Sequence, residues 1–359
     1  MDRDATLREV EQRVLWLATS IVHHANRVRP NPDGLKVGGH QASSASLVSI
    51  MTELWFNHLR PEDRVSVKPH ASPVLHALNY LLGELGATWS RWGEPLLPIG
   101  VLYDPFVERA LEPWSFGIYA GGQSILVGTP SGVTLAPEGG AHQSITTPSV
   151  GLEQPGCTMY EPAFAIDVEW TLLAALARLG RPGGRSAYLR LSTRAVDQTL
   201  AAVPDDPAAR ERRRRQVVAG GYPLRRADGP PAETIAAMGA VVPEALAAAD
   251  RLTAQGIGVD LVCITAPGLV FDAVQARSGI GGGDSWILDA ILPARRAAPL
   301  VTVLDGHPHT LAFLAGVNQV RAAHLGVSAF GQSGGLGEVY RHHGLDTDTI
   351  VRAALDLTD

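Results

Sequence analysis

The chain has 359 residues, 45% of them hydrophobic, and a net charge of −6. That length supports two or three domains with real cores. The acidic balance lacks the basic field that a general nucleic-acid binder needs to meet phosphates. Cys157 and Cys263 lie in different segments and form neither a disulfide framework nor a metal-ligand spacing, which fits a reducing cytoplasm. The start, Met1-Asp2-Arg3-Asp4-Ala5, is charged, and no apolar run reaches the roughly 18 residues of a membrane helix. A cytoplasmic protein without a membrane partner is expected. Only two of the 30 basic residues are lysines, a bias expected of a GC-rich bacterial genome.

Residues Leu7 to Arg27 carry Val10, Val14, Leu15, Ala18 and Ile21 at helical spacing, and Pro30-Asn31-Pro32 ends the pattern. A second helix is predicted over Ser44–Leu59, with a serine-rich start suited to capping. Val65-Ser66-Val67 reads as a short strand and Pro73 to Leu85 as a helix. Strands follow at Leu96–Leu102, Ser124–Gly128 and Ala187–Leu191, with helices at Pro105–Gly117 and Pro162–Leu179. Thr129 to Pro148 is a Gly-, Pro-, Ser- and Thr-rich loop. Pro204 to Gln216, with its run of arginines, reads as a solvated linker. The last third alternates: strands Thr234–Met238, Val259–Thr265 and Leu300–Leu304, each followed by a helix. Such alternation implies a parallel sheet with right-handed crossovers. The glycine-rich Gly279–Asp284 shows no following helix signal, which disfavours a phosphate cradle there.

Three histidines stand in loop-like breaks: Gly38-Gly39-His40, Lys68-Pro69-His70 and Gly139-Gly140-Ala141-His142. Glycine and proline let backbone approach a ligand closely, and imidazole moves protons near neutral pH. His40 and His70 each precede a predicted helix start, where free backbone N–H groups suit a phosphate. His307 and His309 end a strand of the last domain; lining the same cleft and capping the strand are equal readings. No nucleophile elbow and no Walker loop is present.

Together these stretches resemble thiamine-diphosphate enzymes of the transketolase superfamily. The likeness is nearest to the homodimeric pyruvate dehydrogenase decarboxylating (first) component. Four stretches carry it: Gly38-Gly39-His40 through His58, Asp63-Arg64 through Pro73, Gly128-Thr129-Pro130-Ser131-Gly132 through Gln143, and Phe330-Gly331-Gln332 through His343. The resemblance implies an α/β fold with parallel sheets flanked by helices. The first two domains would be incomplete and the C-terminal transketolase-like domain complete. The implied boundaries are a diphosphate-domain remnant over 1–85, the C-terminal half of the pyrimidine domain over 86–203, a linker over 204–219 and the last domain over 220–359.

The resemblance further implies thiamine diphosphate and Mg2+ as cofactors. His40 and His70 would lie near the diphosphate and the reacting carbon, and His142 would transfer protons or orient substrate. Phe106, with Tyr103 nearby, would stack on the aminopyrimidine. The implied reaction is decarboxylation of a 2-oxo acid such as pyruvate with acyl transfer, by a homodimer that serves an acyltransferase component. Transketolase-type ketol transfer is the first alternative, and a non-catalytic remnant acting as a scaffold is the second. Two departures bear on activity. No Gly-Asp-Gly metal motif occurs in the chain, and no residue fills the place of the activating glutamate; Glu84 is nearest, in surroundings that do not match. A join near Leu81–Gly86, with a long segment lost, is therefore expected.

Overall fold

The computed structural model describes Gln12, His23, Arg27, Val28, Leu85–Arg91, Gly93 and residues 95–358. His40, His70, Glu84 and the elements expected before residue 85 lie outside these residues.

Two sheets organise the chain. The first has the order β1-β2-β4-β3, all parallel: β1 Ile99–Leu102, β2 Ile125–Gly128, β3 Cys157–Tyr160 and β4 Ser186–Arg190. Every residue of these strands is buried. A parallel sheet covered on both faces favours continuous apolar runs, which β1 and β2 supply, while β3 and β4 also bury Thr158, Ser186 and Arg190. The second sheet has the order β5-β7-β6-β8-β9. Its strands are β5 Gly221–Arg225, β6 Glu233–Met238, β7 Val259–Ile264, β8 Leu300–Leu304 and β9 Ala322–Leu325. β5 runs antiparallel to β7, and the other pairings are parallel. The fold is thus α/β with parallel sheets flanked by helices.

The helices bury one stripe each. Val107–Tyr119 turns Val107, Ala110, Trp114 and Gly117 inward, a spacing of three and four residues. Val242–Ala254 buries Val242, Ala245, Leu246, Ala248, Ala249 and Leu252 under the second sheet. Small alanines let that helix sit close to the strands.

Several expectations are corrected. The linker expected over 204–219 carries a packed helix, Pro207–Ala219. Asp206 caps it by accepting from the Ala209 N–H at 2.7 Å, and Pro207 occupies the first turn. Within the arginine run, Arg213 is buried over the Tyr222 ring, 3.2 Å from its centroid, and donates to the Ala201 carbonyl. One arginine in the run is therefore a core residue. The expected loop Thr129–Pro148 ends in the helix Thr147–Glu153, and β3 follows it. The helix expected from Pro162 begins at Ala165. The glycine-rich segment before Ser285 does lead into a helix, Trp286–Ile291.

The first sheet's strands pack in clusters of their own, and the two halves meet in a further apolar cluster formed by segments that follow the first sheet's strands. Val133, Phe164 and Trp170 from the first half pack in the same cluster as Ile235, Val301, Val339 and Tyr340 from the last domain. The carboxyl ends of the sheets face each other. The Glu161 N–H, after β3, donates to the Thr265 carbonyl, after β7, at 2.8 Å. Asp305, after β8, receives the N–H groups of Val133 and Thr134, after β2, each at 2.8 Å.

Candidate active site

Tyr103 follows β1 directly, and Phe106 closes the short turn Asp104–Phe106 before the next helix. His142 ends the single turn Gly140–His142 in the segment after β2. In open α/β sheets, ligands gather outside the carboxyl ends of strands, and all three residues stand there. The Tyr103 and His142 ring centroids are 5.8 Å apart at 68°, and Tyr103 and Phe106 are 6.0 Å apart at 48°. Tyr103 is buried, Phe106 half-buried and His142 exposed. The Arg109 guanidinium lies 5.0 Å from the Phe106 centroid. Burial, then the charge and hydrogen bond of Glu138, push the Tyr103 hydroxyl up to about 12. Tyr103 is therefore a proton donor held neutral beside a carboxylate. Of the five sequence-predicted site residues, the structure brings Tyr103, Phe106 and His142 together; His40 and His70 lie outside the described residues.

The segment that carries His142 is braced by the last domain. Thr134 Oγ1 donates to Asp305 Oδ2 and lies 2.6 Å from the Tyr340 hydroxyl. The Gln143 amide donates to the carbonyls of Leu135 and Gln332, both at 3.1 Å. Ser333 Oγ donates to the Pro137 carbonyl, and the Gly334 N–H donates to the Ala136 carbonyl. Gly132 has φ +69°, and a Cβ there would collide with the Asp305 carboxylate. The backbone N–H groups of the turn can wrap that carboxylate only because residue 132 lacks a side chain.

Beneath the aromatic pair lies a buried charge network that sequence reasoning missed. Arg190, at the end of β4, donates from Nε to Asp104 Oδ2 at 3.0 Å and from Nη1 to Glu161 Oε1 at 2.7 Å. All three side chains are shut from water. Asp104 also accepts from Ser144, from Thr147 at 2.7 Å and from the Tyr188 hydroxyl. Glu161 Oε2 has no partner. Desolvation outweighs the pull of Arg190 and raises the Glu161 carboxyl to about 7. Gly239, at φ +67° after β6, packs directly on that carboxylate. The available signal was a charge inside an apolar run, Tyr188-Leu189-Arg190-Leu191. An arginine there needs buried partners.

Tyr103, Phe106 and His142 thus gather two aromatic faces and an exposed imidazole at the carboxyl ends of β1 and β2. Among the described residues, no group of three or more His, Cys, Asp or Glu side chains could hold a metal ion. Among them, too, no helix is long and apolar enough to cross a membrane.

The model of the transketolase-like TK C-terminal domain matches residues 220–346. The 6-deoxy-6-sulfo-D-fructose transketolase subunit SqwH of Clostridium sp. (strain MSTE9) is 30% identical over 244 residues, covering 67% of this chain and 67% of that protein. The transketolase of Sinorhizobium medicae (strain WSM419) is 26% identical over 265 residues, covering 73% of this chain but only 34% of its own length. Among solved structures, transketolase from Leishmania mexicana superposes with a TM-score of 0.61 at 21% identity, over 79% of this chain and 36% of that one. A split-gene transketolase, described as an inactive β4 tetramer, superposes with a TM-score of 0.58 at 18% identity, over 89% of this chain and 98% of that one. The chain thus spans about a third of the Sinorhizobium and Leishmania enzymes. None of these relatives carries the finer likeness to the pyruvate dehydrogenase component. The chain belongs to the transketolase family.

Proposed function

We propose that this chain supplies the pyrimidine-side half of a transketolase-type active site. It would act on a ketose by moving a ketol unit between sugars. The observation that carries this reading is the cluster of Tyr103, Phe106 and His142 at the carboxyl ends of β1 and β2. Thiamine diphosphate, when bound, supplies a carbon nucleophile that stores the electron pair of the broken C–C bond. The half-buried Phe106 would stack on its aminopyrimidine, with the buried Tyr103 beside it and Arg109 stiffening Phe106 from outside. His142, exposed at the rim, would carry protons to and from the substrate oxygen. The last domain fixes the His142 segment through Asp305, Gln332 and Ser333.

The similarity to a transketolase named as a subunit, and the near-complete coverage of a split-gene chain, support a half that works with a second polypeptide. That partner would bring the metal-diphosphate end. Pyruvate decarboxylation in a homodimer with an acyltransferase partner rests on the resemblance of the N-terminal stretches Gly38–His58 and Asp63–Pro73, which lie outside the described residues, and of the C-terminal stretch Phe330–His343. The test is calorimetry followed by turnover. The purified chain alone should show no Mg2+-dependent micromolar binding of thiamine diphosphate. Coexpression with a diphosphate-domain chain should yield ketol transfer from a ketose donor. Turnover of pyruvate with none of ketose would overturn the reading.

A further inference from the structure

Beyond β8 the chain turns through Gly306-His307-Pro308-His309, against the helix Thr147–Glu153. The His307 N–H is pinned to the Ile145 carbonyl at 2.9 Å. The two imidazoles face each other with centroids 4.7 Å apart, and their Nδ1 atoms lie 2.7 Å apart. His309 Nε2 lies 3.1 Å from Oγ of Ser149, a buried residue. The His309 backbone N–H also points at His307 Nδ1, at 3.4 Å. That makes His307 Nδ1 an acceptor and leaves its proton on Nε2. His309 then donates from Nδ1, and its Nε2 accepts the Ser149 hydroxyl. Two ring nitrogens therefore converge on one proton.

We infer that His307 and His309 form a chelating site for a borderline divalent transition-metal cation, Zn2+ first, seated where the shared proton lies. Two metal–nitrogen bonds of about 2.0–2.1 Å at roughly 90–110° need nitrogens about 2.9–3.4 Å apart. The rings need open by less than 1 Å or so from their present spacing to reach that span. The proton balance closes inside the site. The His309 proton passes from Nδ1 to Nε2, and the Ser149 hydroxyl turns from donor to acceptor. Both imidazoles then offer Nδ1 lone pairs, no proton is lost, and the site gains the charge of the cation. Ser149 becomes the outer hydrogen-bond partner that fixes the tautomer of a metal-bound histidine. No third His, Cys, Asp or Glu joins the pair among the described residues, so water completes the coordination and the ion exchanges readily. His309 is exposed and His307 half-buried, which leaves an entry path.

The chain holds 12 histidines, so the experiment must localise the site. Chelator-stripped full-length protein is titrated with Zn2+ by calorimetry. One saturable equivalent with a Kd of roughly 1–50 µM is expected, weak beside closed structural zinc sites. His307→Gln and His309→Gln should each weaken it at least about tenfold, and Ser149→Ala by about the same or less, as for other outer partners. His324→Gln should leave it unchanged. A readout on unaltered protein runs alongside: Zn2+ should protect the peptide containing His307 and His309 from diethyl pyrocarbonate, read by mass spectrometry. An event that survives the His307→Gln/His309→Gln double change, no saturable binding below about 100 µM, or an unprotected peptide would each overturn the inference.

Discussion

Glu233 offers a quantitative test of the second sheet. It opens β6, its side chain is fully buried, and neither carboxyl oxygen has a hydrogen-bond partner. Burial raises its pKa from 4.5 to about 8, against the opposing charge of Arg321. Below pH 4.5 both folded and unfolded chains hold the proton. Between pH 4.5 and 8 the unfolded chain gives it up while the folded one retains it, so stability falls as pH rises, and the loss levels off above 8. At about 1.4 kcal/mol per pH unit, the ceiling on that loss is roughly 5 kcal/mol. Glu233→Gln keeps the shape and cannot ionise. It leaves a buried amide unsatisfied at a constant cost of about 1–3 kcal/mol, so the variant starts level with or below the parent at pH 5 and overtakes it by pH 9. Urea unfolding at five pH values, followed by far-UV circular dichroism, measures this. Parallel stability profiles for the two proteins from pH 5 to 9 would refute the assignment of Glu233 as a buried neutral acid.

Other outcomes follow from the site and its supports. Arg190→Met strands Asp104 and Glu161 without their cation and should cost about 3–5 kcal/mol by chemical denaturation; Glu161→Gln added to it should recover part of the loss. Gly239→Ala forces a Cβ against Glu161 at a positive φ and should destabilise by at least about 1–3 kcal/mol, read as a lower Tm. His142→Ala removes an exposed side chain and should change stability by no more than about 0.5 kcal/mol. In the coexpressed enzyme the same change should lower kcat by roughly a hundredfold or more.

The legible parts of the fold were the buried parallel strands. β2, β4, β6, β7 and β8 are short, mostly apolar runs broken only by residues such as Arg190, Glu233, Asp260 and Thr302, and their positions follow from the sequence to within a few residues. β3 escaped because Cys157-Thr158-Met159-Tyr160 is short and mixed. β5 escaped because Pro223 and Arg225 mark it as an edge, and β9 because Ala322-Ala323-His324-Leu325 faces partial solvent. The arginine-rich helix failed on composition: a charge run reads as solvated face, and nothing local reveals that Tyr222 waits under Arg213. Tyr103, Phe106 and His142 were reached through family resemblance on local motifs. Asp104, Arg190, Glu161 and Asp305 were not, because each gains meaning only from partners on other strands. Spacing along a chain carries no trace of a hydrogen bond across two sheets.

The reciprocal fit at the meeting of the sheets limits how this chain can be recombined with another. Gly132 of the first sheet admits Asp305 of the second, while Gly239 of the second admits Glu161 of the first. Each half thus carries one key and one lock. A chimera joined anywhere between the sheets inherits both matches or spoils at least one, even when each half folds well alone. Swapping the last domain to alter specificity would first require residues 132, 161, 239 and 305 to travel as a set.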